Sequence, residues 1–489
     1  MNKPVKLESD QTAQYAKSPG ESVQSILARD PNPAPPSYRT SSYYHLGDED
    51  IPIERYLSQE WHWLEVERVW RKTWQVACRI EEIPNPGDYV VYDIVDDSVI
   101  VVRTESGAIK AYTNACLHRG TALCLGQGHT KNFRCPFHGF TWTLEGQLRY
   151  IPAQLDFPHI QKENFRLMEV KVGSWGGFVF INLDPAAPPL ADYLEILPDH
   201  LDGKVFEDRY KAVHVSQVVP CNWKVAQEAF IEGYHVAETH YAKDESGSVL
   251  PTDPVASVSH DTATQYDIWP ESRHINRLML ASGVPSQYVA HHIKDQQEII
   301  DRLLRRIPDE LRPKLRPGEE ARPALATFNR RALSQLFRAD LSKLSDAELL
   351  DQNQYNIFPN FTLWPNVFSP LCYRFRPYQN DPNQSLFEVW FLHPKPEHGE
   401  KETVAKEHRL APGESWTSAR ELGVYGPIID QDMPNLARIQ KGLRATRKPG
   451  VTLANYQEIR IRHFHKTLVE YIGSASGAVG GNQPGVSNG

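Results

Sequence analysis

Four residues that bind metals well fall in two short loops. One reads Cys116-Leu-His118-Arg-Gly120, the other Cys135-Pro-Phe-His138-Gly139, and sixteen residues separate His118 from Cys135. Each loop offers one thiolate and one imidazole. A structural zinc site of the finger type draws its cysteines from one knuckle and its histidines from another element. Pairing Cys-x-His with Cys-x-x-His suits instead a [2Fe–2S] cluster, with two thiolates on one iron and two neutral imidazoles on the other. Neutral ligands make the cluster less negative and raise its reduction potential. Gly120, Pro136 and Gly139 fit loops that turn sharply and bring backbone N–H groups close to the sulfurs. A zinc-stabilised binding module, colourless and inert to reductants, is the competing reading.

A second set lies downstream, in Asn222-Trp-Lys-Val-Ala-Gln-Glu228-Ala-Phe-Ile-Glu232-Gly-Tyr-His235-Val-Ala-Glu-Thr-His240. Glu228, Glu232 and His235 stand at i, i+4 and i+7, one face of a helix. Five further residues rotate an α-helix by about 500°, so His235 and His240 would sit about 140° apart on a continuous one. To share a metal, the helix must end or bulge between them. Two neutral histidines and a carboxylate with open positions form the facial triad of non-haem Fe(II) oxygenases. Taken alone, the segment reads equally as two unrelated histidines on an amphipathic helix.

The elements that must position these groups follow from the rest of the chain. Its 489 residues allow two or three domains, and the hydrophobic and charged fractions, 40% and 23%, are those of a globular protein. A net charge of -8 argues against nucleic acid as a partner. Six cysteines are too few for a disulfide framework, so Cys78, Cys124, Cys221 and Cys372 read as reduced thiols. No charged-then-apolar leader opens the chain, and no apolar run approaches ~18 residues, so the expectation is a cytoplasmic protein that crosses no membrane. The polar start, a flexible arm or a strap on the surface, closes on a Pro-rich run, Pro31 to Pro36. A helix capped near Ser58 should follow, with Trp63, Val66, Trp70 and Trp74 at packing intervals. Strand patterns then run from Ile83 through Asn182, with a linker at Asp184 to Pro189. A β run over Val213 to Val219 opens the second half. An amphipathic helix is expected at Asp295 to Arg306, a capping box at Ser345 and Glu348, aromatic strands over Tyr355 to Phe391, a helix after Asp432 and another near Tyr456 to Ile472.

The cluster motif, Asn222-Trp-Lys, and Glu-Gly-Tyr-His235-x4-His240 together resemble the α subunits of Rieske non-haem iron oxygenases, the ring-hydroxylating family, from about Tyr44 to Ile472. The resemblance implies an α+β protein. It would comprise a small antiparallel β Rieske domain and a helix-grip (START/Bet v 1-like) catalytic domain, an antiparallel sheet around a long helix. The expected division is a flexible arm at 1–45, an N-terminal helix packed on the catalytic domain at 46–78, the Rieske domain at 79–186, the catalytic domain at 187–472 and a disordered tail at 473–489. The resemblance also implies a late aspartate completing the iron triad. Register in Asp430-Gln-Asp432-Met-Pro-Asn-Leu-Ala-Arg-Ile-Gln440-Lys-Gly-Leu443 selects Asp432, with Asp430, a local helix N-cap, as runner-up. Glu232 matches the family's carboxylate bridge between the second Rieske histidine, here His138, and the first iron histidine, here His235. Ala229 stands where many relatives have Asn, and a glutamate at the bridge favours assemblies of α subunits alone.

The implied cofactors are a [2Fe–2S] Rieske cluster on Cys116, His118, Cys135 and His138, and a mononuclear Fe(II) on His235, His240 and Asp432. The implied activity is O2-dependent hydroxylation of a small apolar, aromatic or cyclic, substrate. Monooxygenation or oxidative demethylation is one alternative, and electron transfer without oxygenase activity another. The chain has no Rossmann glycine fingerprint, so NAD(P)H chemistry is assigned to a separate reductase or ferredoxin. Arg119, Lys131 and Arg134 are candidates for docking an acidic donor, or plain surface charge. A homotrimer is the implied assembly.

Overall fold

The computed structural model describes residues 21–243, 249–251, 264–284, 295–305, 307–337, 340–366, 371–395 and 403–473. The expected tail lies, apart from Gly473, outside the described residues. Among the described residues no helix is long and apolar enough to cross a membrane.

The cluster half is built on a seven-stranded antiparallel sheet. Its order is Gln75–Arg79, Phe178–Asn182, Glu169–Trp175, Ile109–Thr113, Asp97–Arg103, Asp88–Ile94 and Gln127–His129. A second sheet of three short strands, Phe133–Arg134, Thr141–Trp142 and Leu148–Tyr150, stands beside it. The β-branched and aromatic alternation recognised in the sequence is what buries Ile100, Val102, Tyr112, Phe133 and Trp142 in one core. Strand Gln75–Arg79 pairs with Phe178–Asn182, so this sheet begins ahead of the boundary expected at 79.

The second half is an eight-stranded sheet. In order it runs Thr264–Ile268, Ile275–Leu280, Gln352–Ile357, Phe361–Leu363, Leu371–Tyr378, Asp381–Pro394, Arg209–Val219 and His408–Leu410. Pairing is antiparallel throughout except at the last edge, where Arg209–Val219 and His408–Leu410 run parallel. Helices Trp223–Ala229, Tyr425–Ala445 and Ile459–Gly473 pack on it and on one another. Arg79 locks the two halves together: its guanidinium donates to the carbonyls of Gly176, Phe206 and Arg209.

Three expectations are corrected here. The described part of the N-terminal arm, from residue 21, takes the form of the strap rather than of the flexible arm, the two forms expected for it. Val23, Ile26 and Leu27, on one face of a short helix, are buried with Tyr38 against Met279, Ala281 and Val284. It is a strap, held also by the Arg322–Asp30 ion pair. The Trp stripe, second, is not one face. The Ser58-capped helix Gln59–Glu65 gives way to a π turn, Val66–Trp70, whose extra residue per turn swings Trp70 into the core against Trp223. Trp63 is left exposed, and Trp74 lies beyond the helix with its indole donating to the Pro188 carbonyl. Third, the late helix spans Tyr425–Ala445 and so encloses Asp432 rather than following it. The helix at Gln296–Leu303 and the Ser345–Glu348 capping box are observed as expected.

Candidate active site

The two cluster loops are built alike. In the first, the Cys116 N–H donates to the Thr121 carbonyl and the Gly120 N–H donates back to the Cys116 carbonyl. In the second, Cys135 donates to Phe140 and Gly139 donates back to Cys135. Both glycines have φ near the left-handed region, +80° at Gly120 and +76° at Gly139, which a side chain would strain. At Gly139 a Cβ would also press on Arg134, 3.0 Å away. The second loop is the tip of the hairpin that pairs Phe133 with Trp142.

Cys116 and Cys135 are buried, and the His118 and His138 rings lie 4.7 Å apart between centroids. Nδ1 of each ring is buried without a hydrogen-bond partner among the described residues. Two inward imidazole nitrogens without protein partners, beside two buried thiols, are the donor set of a Rieske cluster, and the residues fit that group. Burial alone would push the Cys135 thiol up, but the N–H groups of Phe137 and His138 outweigh it and hold the thiol below its ordinary value. Phe140 stacks flat on His118 and fixes its plane. Cys78, Cys124, Cys221 and Cys372 are buried free thiols, as expected. Arg119, Lys131 and Arg134 are all exposed around these loops.

Asn222, Trp223 and Lys224 prove to be the seat of the second site rather than part of it. The Asn222 side chain caps the helix at Lys224 N, and its amide donates to the Tyr56 and Pro382 carbonyls. The Trp223 indole and the Lys224 ammonium both reach the buried carboxylate of Glu65, 2.9 and 2.5 Å away. Gln440, of the late motif, accepts from the Asn222 N–H and so ties helix Tyr425–Ala445 to the same point.

That helix does not run on to His235. It ends at Ala229, and a separate turn, Val236–Thr239, sits between the histidines with His235 at its start and His240 at its end. The face expected for Glu228, Glu232 and His235 is thus broken, and the break brings the two rings to 5.3 Å between centroids. Nε2 of His235 and Nε2 of His240 each stand 3.6 Å from Oδ1 of Asp432. All three donor atoms lie within 4.8 Å of one another, the spacing of ligands around one ion. Each ring is held from its other side: His235 Nδ1 is 2.6 Å from Glu232 Oε1, and His240 Nδ1 is 2.9 Å from Gln431 Oε1. An acceptor at Nδ1 places the proton there and leaves the Nε2 lone pair for a metal. Glu232 is itself fixed, because its Oε2 accepts from the N–H of Tyr234 and His235.

Asp430 is employed elsewhere. Its carboxylate accepts from Ser415 Oγ, Thr417 Oγ1 and the N–H groups of Trp416 and Thr417, which hold it below its ordinary range. It caps the neighbouring turn, Trp416–Ser418, not its own helix. Among the described residues one other trio, His214, Glu388 and Glu407, brings donor atoms close. There Arg374 and Arg376 engage Glu388 and Lys211 faces His214, so three cations occupy the place a metal would take.

Beside His235 and Asp432 opens a cavity of about 250 Å³. Tyr56, Glu228, Glu232 and Glu458 line it together with Val225, Leu436 and Ile461. Sequence reasoning missed Gln431 and the partners of Glu228, since neither carries a motif.

Two family models match. The ring hydroxylating alpha subunit (catalytic domain) covers residues 206–474, more than half of the chain, and the Rieske [2Fe-2S] domain covers 73–161. The chain belongs to the ring-hydroxylating α-subunit family of Rieske oxygenases, oxidoreductases that carry a [2Fe–2S] cluster and a mononuclear iron. It is 33% identical to the chlorobenzene dioxygenase subunit alpha of Cupriavidus sp. (strain PS12) over 192 residues, 38% of this chain and 42% of that one. It is 31% identical to the carnitine monooxygenase oxygenase subunit of Acinetobacter pittii (strain PHEA-2) over 179 residues, 36% of this chain and 48% of that one. The chain thus spans about half the length of the curated relatives it matches. Among solved structures, a quaternary ammonium Rieske monooxygenase superposes with a TM-score of 0.60 at 18% identity, covering 86% of this chain and 95% of that one. Naphthalene 1,2-dioxygenase from Rhodococcus sp. bound to indole gives 0.57 at 22%, covering 87% and 95%. These two establish the fold.

Proposed function

We propose that this chain is the terminal oxygenase of a multicomponent system and hydroxylates an apolar, aromatic or cyclic, substrate with O2. The observation that carries the reading is the convergence of His235, His240 and Asp432, with both rings anchored through Nδ1 so that Nε2 faces the carboxylate. Loaded with their metals, the two sites supply single electrons and a place for O2 to be reduced. His235, His240 and Asp432 hold the mononuclear iron, and Cys116, His118, Cys135 and His138 hold the cluster. Glu232 orients His235, and its carboxylate is the candidate bridge to His138. The apolar walls of the cavity, Val225, Leu436 and Ile461, suit an apolar substrate beside His235.

Electrons come from a separate reductase or ferredoxin, for which the exposed Arg119, Lys131 and Arg134 offer a basic landing surface. The working assembly is a homotrimer in which His138 of one chain meets Glu232 of the next. Exposed apolar side chains on the cluster lobe, Leu125, Phe137 and Leu155, support burial of that lobe in an assembly.

The test is product analysis under 18O2, with a panel of aromatic, terpenoid, steroid and N-methyl substrates and a generic ferredoxin–reductase pair. Both labelled oxygens in a cis-diol identify a dioxygenase. One labelled oxygen, or loss of a methyl group as formaldehyde, identifies the monooxygenase alternative, which the likeness to a carnitine monooxygenase supports. Reduction of the cluster with no product from any substrate would sink the oxygenase reading and leave the electron-transfer one.

A further inference from the structure

Three segments remote in sequence meet at Glu228. Tyr56 comes from the N-terminal segment and His465 from the C-terminal helix. Tyr56 Oη lies 3.1 Å from both carboxyl oxygens of Glu228, and His465 Nε2 lies 2.8 Å from Oε1. Tyr56 Oη and His465 Nε2 are themselves 3.0 Å apart, which closes a triangle. The tautomer of His465 follows from its other side. Arg55 Nη1 is 3.2 Å from His465 Nδ1, and a guanidinium can only donate. Nδ1 is therefore the acceptor, and Nε2 carries the hydrogen that points at Glu228. Among the described residues no cation pairs with this carboxyl: burial holds His465 well below its ordinary value and hence neutral, and Lys224 is spent on Glu65.

We propose that Glu228 is the proton store of the candidate iron site, releasing its proton into the cavity of His235 and Asp432 and held afterwards as a carboxylate by Tyr56 and His465. This rests on the oxygenase reading. Glu228, His235 and Asp432 line the same cavity, whose 250 Å³ accommodates several waters at about 30 Å³ each. Proton movement from Glu228 to the metal face needs no rearrangement of the protein. The need for protons is set by the chemistry. Hydroxylating a C–H bond consumes O2, two electrons and two protons and yields an alcohol and water. Dihydroxylation consumes the same electrons and protons and keeps both oxygens. The electrons come from the separate reductase, and Glu228 supplies one of the two protons.

Both protonation states are provided for. Burial of the carboxyl pushes it up to about 8, against the Tyr56 hydrogen bond and the charges of Lys224 and Arg55, so it is protonated at neutral pH. Once ionised it accepts from the Tyr56 hydroxyl and the His465 Nε2–H, two hydrogen bonds already aligned. Glu232 and Glu458 also face the cavity, and Glu458 is itself raised by burial, to about 7. The charges of Glu232 and Glu228 add to burial in raising Glu458.

The test is infrared difference spectroscopy of the metal-loaded protein, titrated from about pH 5 to 10 without substrate, followed by single-turnover product formation. A protonated-carboxyl C=O band should vanish with a midpoint near 8, and Glu228→Gln should lack it. Tyr56→Phe removes a hydrogen bond to the carboxylate and should move that midpoint upward while both metals stay bound. If Glu228→Gln fails to retain iron, Tyr56→Phe carries the test alone. Glu228→Gln with iron bound should form product about 10²-fold more slowly, and the wild-type loss of rate above the midpoint should disappear from its pH profile. Survival in Glu228→Gln of the band whose midpoint lies near 8, as distinct from that of Glu458 near 7, an unmoved midpoint in Tyr56→Phe, or a wild-type rate and profile in Glu228→Gln overturns the proposal. The infrared arm needs no substrate. Failure of the oxygenase reading therefore shows as absent product with the band intact, and failure of the proton store as a missing or unassigned band.

Discussion

Gln431 Oε1 stands 2.9 Å from Nδ1 of His240, and the next residue of the same helix, Asp432, presents its Oδ1 3.6 Å from Nε2 of that ring. Consecutive helical residues point about 100° apart, so one helix grips the imidazole from both ends. Gln431→Leu leaves the Nδ1 proton without its amide acceptor and the ring free to turn. Its iron affinity should fall by about 10 to 100-fold, measured by chelator competition, with the Rieske spectrum unchanged. Gln431→Glu keeps an acceptor and should retain most of the iron. Equal losses in both variants would mean that Gln431 serves packing rather than orientation.

Asp432→Ala removes the carboxylate that both Nε2 atoms face. It should lose the mononuclear iron and activity but stay red-brown, because the cluster ligands lie on the other sheet. Asp430→Ala should keep both metals and lose stability instead, since it abandons four donors around Trp416–Ser418. The opposite pattern in metal analysis would move the ligand by two residues.

How much of this was legible follows from where each group's partners lie. The cluster loops could be read because ligand, turn glycine and loop spacing are local, and the symmetric backbone bonds at Cys116 and Cys135 show why. The pair His235 and His240 could be flagged, with the condition that the helix end or bulge between them, but only the family resemblance put them on one metal. The end of the helix after Ala229 depends on helix packing, with Asn222 pinned by Gln440 and Trp223 by Glu65. Asp432 came only from family register, as 192 residues separate it from His240. The strap at Val23, Ile26 and Leu27 did carry an i, i+3, i+4 apolar pattern, overshadowed by the prolines that follow. Nothing near Gln431, Tyr56 or His465 announces their roles, since each is defined by a partner in a distant segment.

Glu65 and Lys224 form an ion pair with both side chains fully buried, and burial drives each toward its neutral form. Removing one member leaves an uncompensated buried charge. Glu65→Ala should destabilise the protein by about 3–5 kcal/mol, also stripping the Trp223 indole of its acceptor. A double change, Glu65→Leu with Lys224→Met, should recover much of that loss. Thermal unfolding of the two variants measures it, and a single variant as stable as wild type would refute the pairing.

His463 is buried with Nδ1 accepting from the Asn276 amide and Nε2–H donating to the Ser272 carbonyl. Burial lowers it to about 4 from an ordinary 6.5. Between those values the unfolded chain binds the extra proton, so stability falls as pH drops, by up to about 1.4 kcal/mol per pH unit from this residue. Above pH 6.5 it contributes no slope. His463→Gln, which can keep both hydrogen bonds, should flatten the acid side of a stability–pH curve over this window. An unchanged slope would show that other groups set it.

The last prediction concerns assembly. Glu232 joins the two metal sites only if His138 comes within hydrogen-bond reach of it, and the hydrogen bonds described for its carboxylate go to Tyr234 and His235. In the proposed trimer the neighbour's cluster lobe, with its exposed Phe137 beside His138, supplies that contact. Complementation separates this from transfer within one chain. A cluster-dead chain, Cys116→Ser, and an iron-dead chain, Asp432→Ala, are each inactive alone. Co-expressed with different affinity tags and purified through both, they should form trimers with partial activity, because an intact cluster on one chain then faces an intact iron on the next. Adding Glu232→Gln to the Cys116→Ser chain, whose iron does the work, should abolish the recovered activity with metal content unchanged, since the amide keeps one acceptor oxygen of the two and its NH2 cannot accept from an imidazole N–H. The same change in the Asp432→Ala chain should leave it intact. Doubly tagged trimers that stay inactive would place electron transfer within a single chain, or make the trimer other than the working unit.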